Sequence, residues 1–169
     1  MKTIVLGLGN TVLRDDGIGI FVARELRKIL PPLVAVVEAE LAGFDLLGLL
    51  EGYDRAVIID AIQLNDVEPG TVFRILPDDI KTTPRLASFH DIDLVTAIAL
   101  GKRMGLTMPF ETVIYAVQAL DTVTLEEGCT EQVERIIPLL AREIAGELEE
   151  IEFTRISKPL AAREGKSDA

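Results

Sequence analysis

Two carboxylates and the only histidine of the chain are the side chains best suited to chemistry. Asp16 follows an apolar run and a glycine-rich turn, Asp60 closes a second apolar run, and His90 directly precedes a predicted helix. Two carboxylates and an imidazole make a ligand set for a divalent transition metal, and three protein ligands leave positions for water or for ligands of a bound partner. The sequence therefore predicts a catalytic metal site of Asp16, Asp60 and His90.

Each candidate also has a simpler structural interpretation. Asp15 and Asp16 stand at the start of a predicted helix, where a carboxylate accepts backbone N–H groups. We expect Asp15 to be the N-cap and Asp16 to be available for function, because one cap satisfies the helix. Asp60 alone is equally suited to a turn, and a single histidine is more often a packed or surface residue than a ligand. The functional interpretation depends on the three residues meeting in one crevice.

Strands and helices are predicted to alternate along the chain. Short apolar, β-branched runs predict strands over residues 2–8, 33–38, 55–60, 71–76 and 112–117. Apolar residues at helical spacing predict helices from residue 17 to the prolines at 31 and 32, and over residues 44–50, 92–104 and 133–148. Residues 77–88 show no periodicity and are predicted to form a long loop near the active site.

This pattern predicts an α/β fold. Strands that are apolar on both faces and separated by helices indicate a mostly parallel, twisted sheet of about five strands in a three-layer α/β/α sandwich. The strand over 71–76 follows a Pro69-Gly70 turn instead of a helix, so we expect it to be antiparallel at an edge. We expect one α/β domain over residues 1–150 and a flexible polar tail over 151–169. Ligands of such sheets bind beyond the carboxyl ends of the strands, where Asp16 and Asp60 are expected.

Composition excludes several classes of protein. The 28 acidic and 17 basic residues give a net charge of −11, and no basic stripe is present, so nucleic acid is not an expected partner. No apolar run approaches the roughly 20 residues of a membrane span, so we expect no membrane association and a cytoplasmic location. Cys129 is the only cysteine, which excludes an internal disulfide, and we expect it to pack in the core.

Other chemistries fit the residues less well. Gly7 and Gly9 suggest a dinucleotide loop, but Val12 occupies the position of the third glycine, and aspartates at the helix start would repel a pyrophosphate. A cysteine hydrolase would need His90 to activate the distant Cys129. Ser88 lies outside any G-x-S-x-G elbow.

The motifs together resemble those of a known family. Residues 7–19 (GLGNTVLRDDGIG) match every fixed position of the opening motif of the hydrogenase maturation proteases, a motif long enough to be specific. Residues 57–61 (VIIDA), 69–75 (PGTVFRI) and 88–94 (SFHDIDL) resemble later family segments in the family order. The resemblance spans most of the chain.

The resemblance implies an α/β/α fold and metal-binding roles for Asp16, Asp60 and His90. It also implies a hydrolase, an endopeptidase of aspartyl or metal-dependent type, that removes the C-terminal extension of a nickel-iron hydrogenase large-subunit precursor. The implied cofactor is nickel supplied by that precursor. The hydrolytic water is activated either by the metal or by one of the carboxylates, and the residues do not distinguish the two.

Two departures from the family and two alternative functions remain. Residues 38–43 read EAELAG where many members have D-G-G-T-x-G, and Gln118-Ala119 stands where many have Q-P.

A nickel-dependent chaperone that binds the precursor without cleaving it is one alternative. The other, a peptidyl-tRNA hydrolase, also opens with G-L-G-N but continues with P-G and a nearby histidine, whereas this chain has Thr11 and Val12.

Overall fold

The computed structural model describes residues 1–40, 43–77 and 91–156. These residues form a five-stranded sheet with helices on both faces. The strands are β1 (Thr3–Leu8), β2 (Ala35–Ala39), β3 (Arg55–Ile62), β4 (Val72–Ile75) and β5 (Glu111–Gln118). The α-helices are α1 (Ile18–Ile29), α2 (Leu47–Leu50), α3 (Asp91–Arg103), α4 (Glu131–Glu134) and α5 (Ile137–Ile156), with 3-10 turns at Arg14–Gly17 and Gly43–Leu46.

The sheet has the strand order β2-β1-β3-β5-β4. The first four strands in this order are parallel to one another, and β4 pairs antiparallel with β5 at the edge. The prediction of a mostly parallel sheet with an antiparallel edge strand is therefore confirmed. The connection from β3 to β4 passes through Pro69 and Gly70 and is too short to return the chain to the amino edge of the sheet, which takes a crossover of a dozen residues or more. Strand β4 therefore starts at the carboxyl edge and runs antiparallel to the other strands.

Apolar side chains cover both faces of the sheet. Successive strand residues point to opposite faces, so Val5 and Val57 pack in the cluster formed with α1 and α5, while Ile4 and Ile58 pack in the cluster formed with α2 and α3. The predicted three-layer sandwich is confirmed.

The strand register places Asp60 at an opening in the sheet. Strand β1 pairs with β3 as far as Gly7 opposite Ile59, whereas β5 continues to pair with β3 as far as Ile62. The prediction that β3 ends at Asp60 is wrong by two residues, because β5 supplies partners for residues 60–62. Asp60 therefore lies just beyond the last pairing of β1 with β3, level with Leu8 at the carboxyl edge of the parallel strands.

Two predictions concern segments that are only partly described. Helix α5 continues to Ile156, inside the segment predicted as a flexible tail, and residues 149–156 contain no glycine or proline to end it. Residues 157–169, nearly all of the loop predicted over 77–88, and His90 lie outside the described residues. Among the helices of the described ranges, none is long and apolar enough to cross a membrane.

Candidate functional site

The glycines of residues 7–19 bring the turn that carries Asp16 onto the ends of β1 and β3. Gly9 has a φ of +126°, and a Cβ atom there would lie 1.8 Å from the Asp16 carbonyl oxygen. A Cβ atom on Gly19 would lie 2.1 Å from the carbonyl oxygen of Ile59 in β3. Only glycine permits both approaches, so this sequence motif positions a carboxylate at the carboxyl edge of the sheet.

Asp16 is half-buried and its side chain is held by the backbone of the preceding turn. Its Oδ2 accepts the Asn10 N–H at 2.8 Å, and the Asn10 Oδ1 in turn accepts the Val12 N–H at 3.0 Å. Asp16 therefore belongs to a hydrogen-bonded turn that fixes the position of its carboxylate.

Asp60 shares a face of β3 with Ile58 and Ile62, both of which pack in the cluster beneath α2 and α3. Its Oδ1 accepts the Ala61 N–H at 2.8 Å. Although the residue as a whole is only half-buried, burial is the main cause that raises the pKa of Asp60 to about 7, and the negative charge of Asp16 raises the pKa further. The Ala61 hydrogen bond opposes this shift. The fold thus brings Asp16 and Asp60, which are 44 positions apart in the chain, close enough for the charge of Asp16 to affect the pKa of Asp60.

The third predicted ligand, His90, lies outside the described residues, but the next residue, Asp91, begins α3. Near the other end of α3, Gly101 packs against Met108, shortly before β5 starts. Helix α3 therefore runs toward the amino edge of the parallel strands, and its first residue lies toward the edge where Asp60 stands. The described ranges contain two carboxylates of the predicted ligand set and no group of three His, Cys, Asp or Glu residues arranged to hold a metal ion.

Asp15 has a different role from the one predicted. Neither the 3-10 turn nor α1 has a side-chain N-cap, so the N-cap prediction is wrong. Asp15 is fully buried and accepts the backbone N–H groups of Leu120, Asp121 and Thr130 and the Thr130 hydroxyl. It thereby ties the loop after β5 to the turn that carries Asp16. No local sequence signal indicates this role, because the partners lie 105 to 115 positions away.

Cys129 is a packing residue, as predicted. It lies in the cluster between the sheet and helices α1 and α5. Burial, with smaller contributions from the charges of Asp15 and Glu134, raises the pKa of its thiol to about 12. A thiol that stays protonated at neutral pH is a poor nucleophile, which argues against a cysteine hydrolase.

The Asp16–Asp60 pair has the properties of a catalytic or ion-binding pair. Two neighbouring carboxylates disfavour double ionisation, and a pKa near neutrality lets one of them bind and release a proton at physiological pH. A dication placed between them would relieve their repulsion. Their shared position at the carboxyl edge of the sheet is where ligands of this architecture bind.

Known proteins are similar to this chain in sequence and fold. A family model described as hydrogenase maturation protease matches residues 20–147. The hydrogenase 2 maturation protease of Escherichia coli is 37% identical over 82 residues, which cover 47% of this chain and 50% of that protein. A putative hydrogenase maturation protease of Methanocaldococcus jannaschii is 27% identical over 151 residues, which cover 86% of this chain and 95% of that protein. The match thus spans only half of the first relative.

A solved structure gives the same result. The hydrogenase maturating endopeptidase HybD from E. coli superposes with a TM-score of 0.73 and is 27% identical, over 89% of this chain and 93% of that one. The similarity therefore extends over nearly the whole of both chains.

Proposed function

Because the chain belongs to the hydrogenase maturation protease family, we propose that it is an endopeptidase that removes the C-terminal extension of a nickel-iron hydrogenase large-subunit precursor. One observation carries the proposal: Asp16 and Asp60 are paired at the carboxyl edge of the sheet, where the Asp16 charge helps to raise the pKa of Asp60 to about 7. A similar E. coli protein is named a hydrogenase maturating endopeptidase. A cytoplasmic location is part of the proposal and is supported by the single, free cysteine.

The precursor's nickel is proposed to be the feature that the enzyme recognises. Asp16, Asp60 and His90 would bind this ion as part of the substrate. The carboxylate pair supports this role, because a cation favours the ionised form of both groups and would release the proton that Asp60 holds near neutrality. The start of α3 at Asp91 supports the inclusion of His90, since it brings the chain toward the same edge of the sheet.

Binding the ion would also position the scissile peptide. The three proposed ligands belong to separate segments, namely a turn, a strand and the segment that precedes a helix. A precursor whose ion is bound by all three would have little translational and rotational freedom. Hydrolysis then needs an activated water. Either the metal polarises it, or one carboxylate, once displaced from the ion, removes its proton.

A comparison of nickel-loaded and nickel-free precursor tests the proposal. Each precursor is incubated with the protein, and the products are examined by intact-mass spectrometry. We expect a C-terminal peptide to be released from the nickel-loaded form alone. Stable binding of the nickel-loaded form without any released peptide would replace the endopeptidase with a chaperone, and equal cleavage of both forms would remove nickel from the recognition step.

A further inference from the structure

Four large apolar side chains stand exposed on the turn that precedes Asp16 and on the loop after β5, which Asp15 ties to that turn. They are Val12 (50% exposed), Leu120 (53%), Val123 (81%) and Leu125 (80%), and we call them the apolar patch. Single exposed apolar residues are common on protein surfaces, whereas a contiguous group of them is typical of an interaction site.

The apolar patch is continuous with the candidate site. Glu126 N donates to Val12 O, and Leu13 and Glu126 form a parallel bridge, so Leu125 lies alongside Val12. Val12 is linked to Asp16 through Asn10, which donates to the Asp16 carboxylate and accepts from Val12 N.

The loop that carries most of the patch is fixed by polar contacts. The Asp121 carboxylate accepts the Val123 and Thr124 N–H groups, and the Thr122 hydroxyl donates to Gln63, just after β3. The buried Asp15 accepts the N–H groups at the start of this loop. The backbone of this loop is therefore held in one arrangement, and little backbone conformational entropy is lost when a partner binds to it.

We propose that the apolar patch binds an extended apolar stretch of the precursor polypeptide next to its nickel-bearing segment, and so helps to select which precursor is processed. This inference rests on the proposed function. The turn that carries Asp16 and the patch residue Val12 are connected through Asn10, so a polypeptide that presents a metal ion to Asp16 can extend onto the patch at Val12.

The negative charge around the apolar patch favours one kind of binding partner over another. Asp121 and the exposed Glu127 stand beside the patch, and the chain carries a net charge of −11. A stretch with a basic side chain beside its apolar residues is therefore favoured, whereas a second copy of this acidic chain would be repelled.

The test uses a double variant, Val123→Ser with Leu125→Ser, and a matched control, Leu33→Ser. Leu33 is 65% exposed and precedes β2, at the opposite edge of the sheet. Precursor binding is measured by calorimetry with nickel-loaded precursor, and kcat and KM are measured by following release of the peptide. For the double variant we expect Kd and KM to rise about tenfold while kcat changes by less than about twofold, and for Leu33→Ser we expect wild-type values.

Unchanged Kd and KM in a folded double variant would overturn the proposal. The proposal would also be overturned if sedimentation showed the wild type to be a dimer and the double variant to be a monomer. The occupant of the patch would then be a second copy of the chain. Leu120→Ser is an independent variant if the double variant does not fold. If the wild-type protein binds the precursor without cleaving it, only the proposed endopeptidase function is disproved. Weaker precursor binding by the double variant would then still support the apolar patch as a docking surface.

Discussion

Gly19 in the first turn of α1 packs directly against the backbone of Ile59 in β3. A Cβ atom on Gly19 would lie 2.1 Å from the Ile59 carbonyl oxygen and 2.4 Å from that of Leu8. Since Ile59 directly precedes Asp60, this contact helps to set the separation of the turn that carries Asp16 from the strand that carries Asp60.

A Gly19→Ala substitution is expected to lower the free energy of unfolding by roughly 2 kcal/mol, because the added methyl group meets backbone atoms that belong to two sheet strands. Urea unfolding measures the effect. Gly146→Ala in α5 is the control: a Cβ atom there meets nothing within 4 Å, so alanine should stabilise the helix by up to about 1 kcal/mol. Equal stability of Gly19→Ala and wild type would show that the close contact is absent.

Replacement of Asp15 by Ala should destabilise the protein by about 2 kcal/mol, because the part-buried N–H groups of Leu120, Asp121 and Thr130 lose their acceptor. Chemical denaturation gives the size of the loss, and hydrogen exchange at Leu120 and Thr130 should accelerate. Asp45→Ala, on an exposed residue, serves as the comparison. A loss no larger than that of Asp45→Ala would disprove the anchoring role of Asp15.

The stability of the metal-free protein should depend on the ionisation of Asp60. The folded protein holds a proton on Asp60 up to a pH of about 7, while the unfolded chain releases it near its usual pKa of about 3.9. Stability contributed by this proton is complete below pH 4 and is lost as the pH rises toward 7.

Asp60→Asn removes this dependence. At pH 8, in the presence of a chelator, we expect the variant to be more stable than wild type by at least about 1 kcal/mol, with the difference vanishing near pH 4. Denaturation curves across this range measure it. Asp45→Asn should follow the wild type at every pH, and a constant difference between Asp60→Asn and wild type would contradict the raised pKa.

Glu147 on α5 contributes stability at neutral pH through the side chains of β4 and β5. Arg74 donates to both carboxylate oxygens, at 3.0 and 2.7 Å, and Tyr115 donates its hydroxyl. Chiefly through the hydrogen bonds from Arg74, the pKa of Glu147 is lowered although burial opposes the shift. A lowered carboxyl pKa stabilises the fold above the unfolded value of about 4.3, and the contribution is lost as the pH falls through the folded pKa.

Glu147→Gln should therefore be less stable than wild type by about 1–2 kcal/mol at pH 7, and the difference should shrink below about pH 4. Thermal unfolding at several pH values follows this convergence. Glu149→Gln, on an exposed residue two positions along the same helix, should show little change at any pH. Curves for Glu147→Gln that do not converge at low pH would assign its effect to packing.

The sequence predicted most of the architecture because its signals are local. Apolar runs and helical spacing identify the elements, and the Pro69-Gly70 turn correctly predicted that β4 is an antiparallel edge strand. The end of β3 was predicted two residues too early, since an aspartate suggests a strand end whereas pairing with β5 decides it.

Part of the candidate site could not be predicted because it depends on contacts between distant segments. A helix-start aspartate suggests an N-cap, yet Asp15 binds a loop more than 100 positions away, at Leu120. Sequence identified Asp16 and Asp60 as candidates, but the raised pKa of Asp60 depends on burial and on the nearby Asp16 charge. The role of His90 stays a prediction.

Single-turnover cleavage of nickel-loaded precursor by Asp16→Ala, Asp60→Ala and His90→Ala tests most directly whether these three residues act together on the precursor's nickel. We expect each folded variant to lose at least about 100-fold in rate, while Asp45→Ala cleaves at the wild-type rate. Circular dichroism confirms folding of each variant. Cleavage at the wild-type rate by any one of the three would contradict the proposed site.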